Sequence, residues 1–298
     1  MNNLFSIRRK NDKPNGVIIW SKEQIDFIIQ EYEINHSTTN IANKFNVSTQ
    51  AIRNVLRKNN IHVLSQEELK KLNFPRNSDF FEEINTPEKA YWLGFLYADG
   101  YISKTNELRI NLKKDDEEHL QKFLNAIEAT NTTIKYSTKT DKNKIYYQAY
   151  IGIRDKKIVN DLNDKGCVNK KSLILTFPKE KVPPYLYSHF IRGYMDGDGS
   201  IHYTQCGKAK KPNYRLSFLG TKNMLENIKH ILNKDNLSLE DKGTYYCLQI
   251  NGNKQLEKIF EYIYKDSYSE IELTRKKQIY NNFLLQRFGG EPINIGCE

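Results

Sequence analysis

Two aspartates, each followed by a glycine, are the residues of this chain best suited to metal chemistry. Asp99 and Asp198 lie 99 positions apart, at the ends of two similar segments, Trp92–Gly100 and Ile191–Gly199. Carboxylates that are brought together repel each other unless a cation neutralises them, and carboxylate oxygens are ligands that Mg²⁺ and Ca²⁺ prefer. Such ions can activate water and stabilise negative charge, so the pair predicts a site for divalent cations.

The aspartates belong to a repeat that extends over most of the chain. Ile145–Ile151 is echoed by Thr244–Ile250 at the same 99-residue offset, and Leu108–Leu112 has a counterpart in Tyr214–Phe218. Each copy is predicted to run helix, strand, strand, helix, strand, strand, helix. A period near 100 residues is too long for a solenoid. The repeat therefore predicts an α+β fold with two halves related by a pseudo-two-fold axis.

Each aspartate is predicted to end a helix, and we call these two helices the motif helices. Thr86 suits the N-cap of the first and Pro87 its first position, and Gly100 is expected to end it in a left-handed conformation. The second has Pro183–Pro184 near its start and Gly199 at its end. The macrodipole disfavours a carboxylate at a helix C-terminus by about 0.3–1 kcal/mol, so two such aspartates indicate function rather than two turns.

Small residues recur four positions apart in both motif helices. Gly94 is followed by Ala98 in the first, and Gly193 by Gly197 in the second. This spacing clears one face of a helix, because residues i and i+4 lie one above the other. We therefore expect the motif helices to pack on each other and to place their C-termini side by side.

The two segments resemble the two motifs of single-chain LAGLIDADG homing endonucleases, and the resemblance extends from Thr86 to about Arg287. It implies an αββαββα fold in each half, with the motif helices at the central interface and two sheets forming a saddle over DNA. It also implies a double-strand cut with a short 3′ overhang across the minor groove. The earlier acidic position of the motif is Asp196 in the second copy but Tyr97 in the first, and that position is not essential in the family.

The resemblance also implies the residues of the site. The predicted metal-binding residues are Asp99, Asp198, Gly100 and Gly199. A basic residue from late in each half is expected near the cleavage point, and Lys171 and Lys276 fall at the matching places. Each has a lysine neighbour, Lys170 or Lys277, so the choice within each pair stays open. The expected cofactor is Mg²⁺, with Mn²⁺ as a substitute and Ca²⁺ supporting binding without cleavage.

Polar residues alternate with apolar ones on the predicted strands, which is the pattern of a sheet with one buried face. Strand Leu108–Lys113 has apolar residues at every second position, and Tyr214–Phe218 follows the same period. On a saddle over DNA, the outward side chains would read base edges in the major groove. The predicted DNA-binding residues of the sheets are Arg109, Asn111, Lys113, Gln148, Arg215, Ser217, Gln249 and Asn251.

The segment Thr38–Lys58 resembles a helix-turn-helix, in which the second helix enters the major groove. Ser48 is expected to cap that second helix, and Val47 to fill the turn. A protein-binding helix pair is the alternative. The residues predicted to face DNA on the second helix are Gln50, Arg53, Asn54 and Arg57.

These patterns predict an N-terminal all-α helix-turn-helix domain in residues 1–64 and a linker in 65–85. Two LAGLIDADG halves follow in 86–180 and 181–288, and the tail is 289–298.

Composition agrees with a nucleic-acid partner. The 298-residue chain has a net charge of +10, and basic side chains gain free energy by releasing counterions from nucleic acid. No apolar run approaches the ~18 residues of a membrane span, and the four cysteines lack metal-site spacing. We expect a monomer that binds double-stranded DNA in the cytoplasm, on the nucleoid of a bacterial or phage-infected cell. The alternatives are a maturase that binds intron RNA and a non-catalytic DNA-binding regulator.

Overall fold

The computed structural model describes residues 4–10, 16–141, 144–206 and 211–289. Most of the predicted tail, 290–298, lies outside them. The chain divides into two compact units, Met1–Pro75 and Arg76–Glu298. No helix within the described ranges has the length and apolar character that crossing a membrane requires.

The first unit is built from short helices and one small ribbon. Serine side chains cap its four helices by accepting backbone N–H groups. Its core contains eight buried hydrophobic residues, among them Ile28, Phe45 and Ile52. The elements are β1 (Arg8–Arg9), β2 (Ile18–Ile19), α1 (Lys22–Asn35), α2 (Thr38–Phe45), α3 (Thr49–Lys58) and α4 (Gln66–Asn73).

The boundary between the units lies inside the stretch predicted to be a linker, 65–85, and this stretch is not a linker throughout. Its first part forms α4, in the first unit. Its last part belongs to the core of the second unit, where Phe80, Phe81 and Ile84 are buried. Burial of two phenylalanines and an isoleucine removes enough apolar surface from water to outweigh the polar composition of the neighbouring residues.

The second unit confirms the predicted α+β fold with its repeated element order. The first half contains α5 (Pro87–Asp99), β3 (Gly100–Ile102), β4 (Glu107–Lys113), α6 (Glu117–Ala126), β5 (Lys135–Asp141), β6 (Lys144–Arg154) and α7 (Lys156–Asp164). The second half contains α8 (Tyr187–Asp198), β7 (Gly199–Cys206), β8 (Lys211–Gly220), α9 (Lys222–Ile231), β9 (Glu240–Asp241), β10 (Tyr246–Asn251), α10 (Asn253–Tyr264) and one further helix, α11 (Thr274–Phe288).

The two halves have matching antiparallel sheets, with strand orders β3-β4-β6-β5 and β7-β8-β10-β9. On β4 and β8 the side chains alternate between a buried and a more exposed face. One face of each sheet contributes to the continuous core of the unit. The other face is left for solvent or a partner, as the two-residue period predicts.

The motif helices α5 and α8 pack directly on each other, as their small residues predict. A Cβ atom at Gly94 would lie 2.0 Å from the carbonyl oxygen of Phe190, and one at Gly193 would lie 2.0 Å from that of Tyr91. Either approach is far inside van der Waals contact. Only glycine therefore permits this distance between the helices.

The C-terminal end of the first motif helix differs from prediction. Gly100 is not left-handed but extended, with φ −71° and ψ 137°, because it is the first residue of β3. Glycine is required there for space, since a Cβ would lie 2.6 Å from the carbonyl oxygen of Leu96. Pro183 and Pro184 lie near the start of the second motif helix, as predicted, because a short 3-10 turn, Pro184–Leu186, leads directly into α8 at Tyr187.

Candidate active site and nucleic-acid interface

The two aspartates lie at the point where the packed motif helices end. A Cβ atom at Gly197, next to Asp198, would lie 3.4 Å from a carboxylate oxygen of Asp99, so the two helix ends are in direct proximity. Burial, and then the nearby Asp198, raise the pKa of Asp99 to about 6. Burial likewise raises the pKa of Asp198. The arrangement holds negative charge in an environment that disfavours it, which is typical of a functional site.

The second half places a buried lysine at this point. The ammonium group of Lys276 donates to the backbone carbonyl oxygens of Met195 (2.6 Å), Asp196 (2.7 Å), Gly197 (3.4 Å) and Gly199 (2.6 Å). These are carbonyls at the C-terminal end of α8 and the start of β7, where the helix macrodipole attracts a cation. Burial lowers the pKa of Lys276 to about 8, although the surrounding aspartates oppose the shift.

The first half places Lys171 in the corresponding position. Its ammonium group donates to the carbonyl oxygens of Ala98 (3.3 Å) and Gly100 at the end of α5. The sequence neighbours point elsewhere: Lys277 pairs with Glu272 at 2.9 Å, and Lys170 is exposed. Of each predicted lysine pair, the structure thus brings Lys171 and Lys276 to the helix ends.

The donor set fits a metal ion that shares its coordination with a substrate. No group of three or more His, Cys, Asp or Glu side chains suited to a metal occurs among the described residues. Two carboxylates are present, and the carbonyl oxygens of Gly100 and Gly199 already accept hydrogen bonds from the lysines. Mg²⁺ ordinarily takes only one or two carboxylates and completes its octahedron with water and substrate phosphates. Asp99 and Asp198 match that demand.

The earlier acidic position of the motif lies away from this donor set. One carboxylate oxygen of Asp196 accepts the Tyr91 hydroxyl at 2.7 Å and the backbone N–H of Leu273 at 2.8 Å, entirely within the protein. Its counterpart Tyr97 donates its hydroxyl to the carbonyl oxygen of Lys165. Both side chains are buried.

A second buried charge in α8 was missed by sequence reasoning. Arg192 is fully buried and donates to the carbonyl oxygens of Ile271 (2.9 Å) and Ile263 (2.6 Å). Burial lowers the pKa of this guanidinium. The signal available in the sequence was an arginine inside an otherwise apolar and small-residue helix segment, since a charge at such a position needs internal partners.

The predicted DNA-binding residues of the first sheet share one face. Arg109, Asn111 and Lys113 are exposed on β4, while the residues between them are buried. Arg109 pairs with Glu107 at 2.8 Å, and Asn111 donates to Gln148 at 3.3 Å across the strand pair. The face is polar, and its side chains hold one another in place.

The second sheet presents an equivalent face. Arg215 donates to Asn251 at 2.9 Å, and the hydroxyl groups of Ser217 and Ser200 lie 2.8 Å apart. Gln249 is half-buried and lies opposite Ser217 in the strand register. All four predicted residues of this half are thus brought together on one surface.

In the first unit, the fold agrees with the expected helix pair. Ile41, Ala42 and Phe45 of α2 and Ile52, Val55 and Leu56 of α3 form buried faces. Ser48 caps α3 by accepting the N–H of Ala51 at 3.2 Å, and Asn46 makes the turn in a left-handed conformation. The predicted contact residues lie on the other side of α3, where Gln50, Asn54 and Arg57 are exposed and Arg53 is half-buried.

Family models match both halves of the second unit. A LAGLIDADG-like domain matches residues 86–162, and a LAGLIDADG endonuclease matches residues 191–284. One curated relative is similar, the replication factor C small subunit of Methanocaldococcus jannaschii, at 26% identity over 200 residues, which is 65% of this chain. The chain spans only 10% of that protein.

Many solved structures are similar to this chain, including three DNA-bound structures that are similar over about two thirds of it. The homing endonuclease I-WcaI bound to its DNA recognition sequence has a TM-score of 0.46 at 15% identity, covering 65% of this chain and 88% of that one. I-GzeII in complex with its DNA target has 0.45 at 12%, covering 68% and 91%. I-AabMI bound to uncleaved DNA has 0.43 at 13%, covering 69% and 91%.

Proposed function

Because this chain is a two-motif LAGLIDADG endonuclease, an enzyme that hydrolyses DNA, we propose that it makes a metal-dependent double-strand cut at a long, specific recognition site. One observation carries the proposal. Two neighbouring carboxylates, the half-buried Asp99 and the more exposed Asp198, end two helices that pack face to face, and each helix end is bonded by a buried lysine. In a protein without a metal or phosphate partner, two carboxylates that repel each other at adjacent helix C-termini would only destabilise the fold.

Asp99 and Asp198 are the residues that would hold Mg²⁺, one for each DNA strand. When bound, the ion lowers the pKa of the attacking water and stabilises charge at the phosphate and the leaving 3′ oxygen. Lys171 and Lys276 act on both carboxylates electrostatically. Their fixed positive charges stabilise the negative charge that develops on the scissile phosphate, without reorganisation during the reaction.

Recognition is assigned to the exposed faces of the two sheets. Their Arg, Asn, Gln, Ser and Lys side chains supply donors and acceptors for base edges. Because Arg109 and Arg215 already have partners at their strands, each guanidinium is held in a fixed orientation before DNA arrives. Preorganised side chains lose less entropy on binding. With one sheet in each half of a single chain, a monomer suffices to contact both half-sites.

For the first unit we propose DNA binding through α3. Its exposed face and the short turn after α2 agree with a helix-turn-helix. A second reader on the same chain raises the effective concentration of each binding surface and lengthens the recognised site. Deletion of this unit is expected to weaken binding while the cleavage position stays the same.

The experiment is a cleavage assay on duplex DNA that carries the insertion locus of the protein's own gene without an intron. We expect a discrete double-strand cut in Mg²⁺ and in Mn²⁺, and binding without cleavage in Ca²⁺. The Asp99→Asn, Asp198→Asn double variant should bind this duplex as tightly as the wild type and cut neither strand. Specific binding by the wild type without cutting in either metal would refute the proposal and favour a maturase or a regulator.

A further inference from the structure

A series of buried, hydrogen-bonded polar groups connects the first half to the second near the candidate metal site. The Tyr91 hydroxyl of α5 donates to Asp196 of α8, and it lies 3.1 Å from the Nε2 atom of His119. Burial lowers the pKa of His119 to about 3, so its ring is neutral and donates a single N–H. Since the tyrosine proton is directed to the carboxylate, the histidine N–H is directed to the tyrosine oxygen.

This series of hydrogen-bonded groups ends at the Asp196 carboxylate, which contacts the start of α11. The same oxygen that accepts Tyr91 also accepts the backbone N–H of Leu273 at 2.8 Å. Leu273 is the N-cap residue of α11, and no side chain caps that helix in the usual way. Asp196 therefore anchors the entry to a helix whose third residue is Lys276.

Arg192 holds the segment immediately before that entry. It lies one helical turn before Asp196 on α8, and its guanidinium donates to the carbonyl oxygens of Ile263 and Ile271. Two residues of one motif helix thus bond the backbone from the end of α10 to the start of α11 at three points. The contacts hold that segment against α8.

We propose that Asp196 is a positioning residue, which fixes the start of α11 through Leu273 and thereby sets where the Lys276 ammonium lies at the end of α8. This inference rests on the proposed function of Lys276. Asp196 does not reach the metal site itself, because both of its hydrogen bonds lie in the protein interior and its side chain is 2% exposed. A shift of about 1 Å in a catalytic group can reduce the rate by about 100-fold, so such an anchor has a measurable consequence.

The first half offers a matched control. Tyr97 occupies the position of Asp196 in the repeat, but its hydroxyl bonds Lys165, in its own half, rather than the backbone around α11. Replacing Tyr97 by Phe removes one buried hydroxyl from a motif helix and leaves the anchor of Lys276 intact. Any general effect of losing a hydrogen bond from a motif helix should appear both in Tyr97→Phe and in Asp196→Ala.

The first measurement is hydrogen exchange at the backbone amides of Ser269–Lys277 in the full chain, without DNA. In Asp196→Ala, the Leu273 amide loses its acceptor and is expected to exchange at least about ten-fold faster. Asp196→Asn retains one acceptor oxygen and should restore most of the protection. Tyr97→Phe should leave this segment unchanged. Unchanged exchange in Asp196→Ala would overturn the proposal, because α11 would then be held in place without the carboxylate.

The second measurement resolves cleavage of the two strands on end-labelled duplex of the intron-free locus. Lys276→Met identifies the strand that depends on Lys276, as the one whose cleavage slows most. In Asp196→Ala, cleavage of that strand should slow by about 10- to 100-fold, while the other strand and the affinity in Ca²⁺ change less than about two-fold. Asp196→Asn should recover most of the rate.

Equal slowing of both strands would overturn the proposal, since it indicates a general loss of folding. If Asp196→Ala does not fold, Tyr91→Phe replaces it, because it removes one donor to the carboxylate and keeps the shape of the core. A smaller loss with the same strand preference is then expected, and its absence contradicts the anchor. If the wild type binds the duplex but cuts neither strand, the proposed function fails, and the exchange measurement alone decides whether Asp196 positions α11.

Discussion

The two motif helices end beside the same pair of groups, an aspartate carboxylate and a lysine ammonium, but different residues hold these groups in place. At the end of α8, Lys276 extends from the first turn of a long helix and bonds four carbonyl oxygens. At the end of α5, Lys171 begins a three-residue 3-10 turn and bonds two. In the second half, the neighbouring support is the Asp196 carboxylate, which accepts the hydroxyl of Tyr91 from the first half. In the first half, it is Tyr97, which donates to the carbonyl oxygen of Lys165 in the same half.

This difference shows which part of the site the chemistry constrains. The proposed reaction requires a carboxylate and a cationic group where the substrate would lie, and few residue types supply them. The support behind them needs only a buried hydrogen bond of suitable geometry, which several residue types can make. The groups at the helix ends are therefore alike in the two halves, while the residues that hold them differ.

The largest effect is expected where the two halves are most alike. Asp99→Asn and Asp198→Asn should each reduce cleavage of one strand by about 10³-fold and convert the double-strand cut into a nick. The amide is isosteric but cannot supply the negative charge that a divalent cation needs. Strand-resolved cleavage is the measurement, with the exposed Asp235→Asn as a control that still cuts both strands. Loss of both strands in either single variant would contradict a one-site, one-strand assignment.

Replacing either lysine should slow cleavage, and the loss of unfolding free energy should differ between the two replacements. Lys171→Met and Lys276→Met are each expected to slow one strand more than the other, by up to about 100-fold, because a fixed positive charge is lost near the phosphate. Lys276→Met should also lower the free energy of unfolding further, by about 1–3 kcal/mol, since it leaves more carbonyls without that donor. Urea unfolding measures this difference. Lys277→Met, which loses a pairing with Glu272, a hydrogen bond to Ser267 and ring contacts but no bond to the end of α8, should cut normally.

The helix interface should respond symmetrically. Gly94→Ala and Gly193→Ala each place a Cβ 2.0 Å from a carbonyl oxygen of the facing helix. A backbone atom cannot move aside as a flexible side chain can, so both variants should lose roughly 3 kcal/mol of unfolding free energy. Thermal and urea unfolding check the pair. A difference of more than about 1 kcal/mol between them would mean that the interface is less symmetric than the two contacts indicate.

The smallest expected effect is a dependence of the free energy of unfolding on pH in the metal-free protein. The pKa of Asp99 is raised from 3.8 to about 6 in the fold, so between these values the folded state binds more protons than the unfolded state. Stability should therefore fall as pH rises through this window, by at most about 1.4 kcal/mol per pH unit from this group.

Unfolding in urea at several pH values measures that slope. Asp99→Asn should flatten it, because the titrating group is removed. Asp198→Asn should reduce it, since the like charge that helps to raise the pKa of Asp99 is lost. A slope that is unchanged in both variants would place its origin in other groups.

Local features of the sequence predicted much of the fold. The cap at Thr86, the period of two on β4 and the paired glycines of the motif helices are all confirmed, because each depends on residues within one helix or strand or on a repeat visible along the chain. The same repeat predicted that Asp99 and Asp198 lie close together. Their roles as metal ligands, and those of the lysines, stay predictions.

Tertiary structure decided what depends on distant parts of the chain. Gly100 is extended because it enters a sheet, and the end of the expected linker is anchored in the core of the second unit by Phe80 and Phe81. The choice of Lys276 over Lys277 follows from which way α11 faces, and the anchor at Asp196 joins residues 77 positions apart. Spacing along the chain cannot reveal such contacts, because long-range packing, rather than local propensity, sets the distance and direction between the groups that make them.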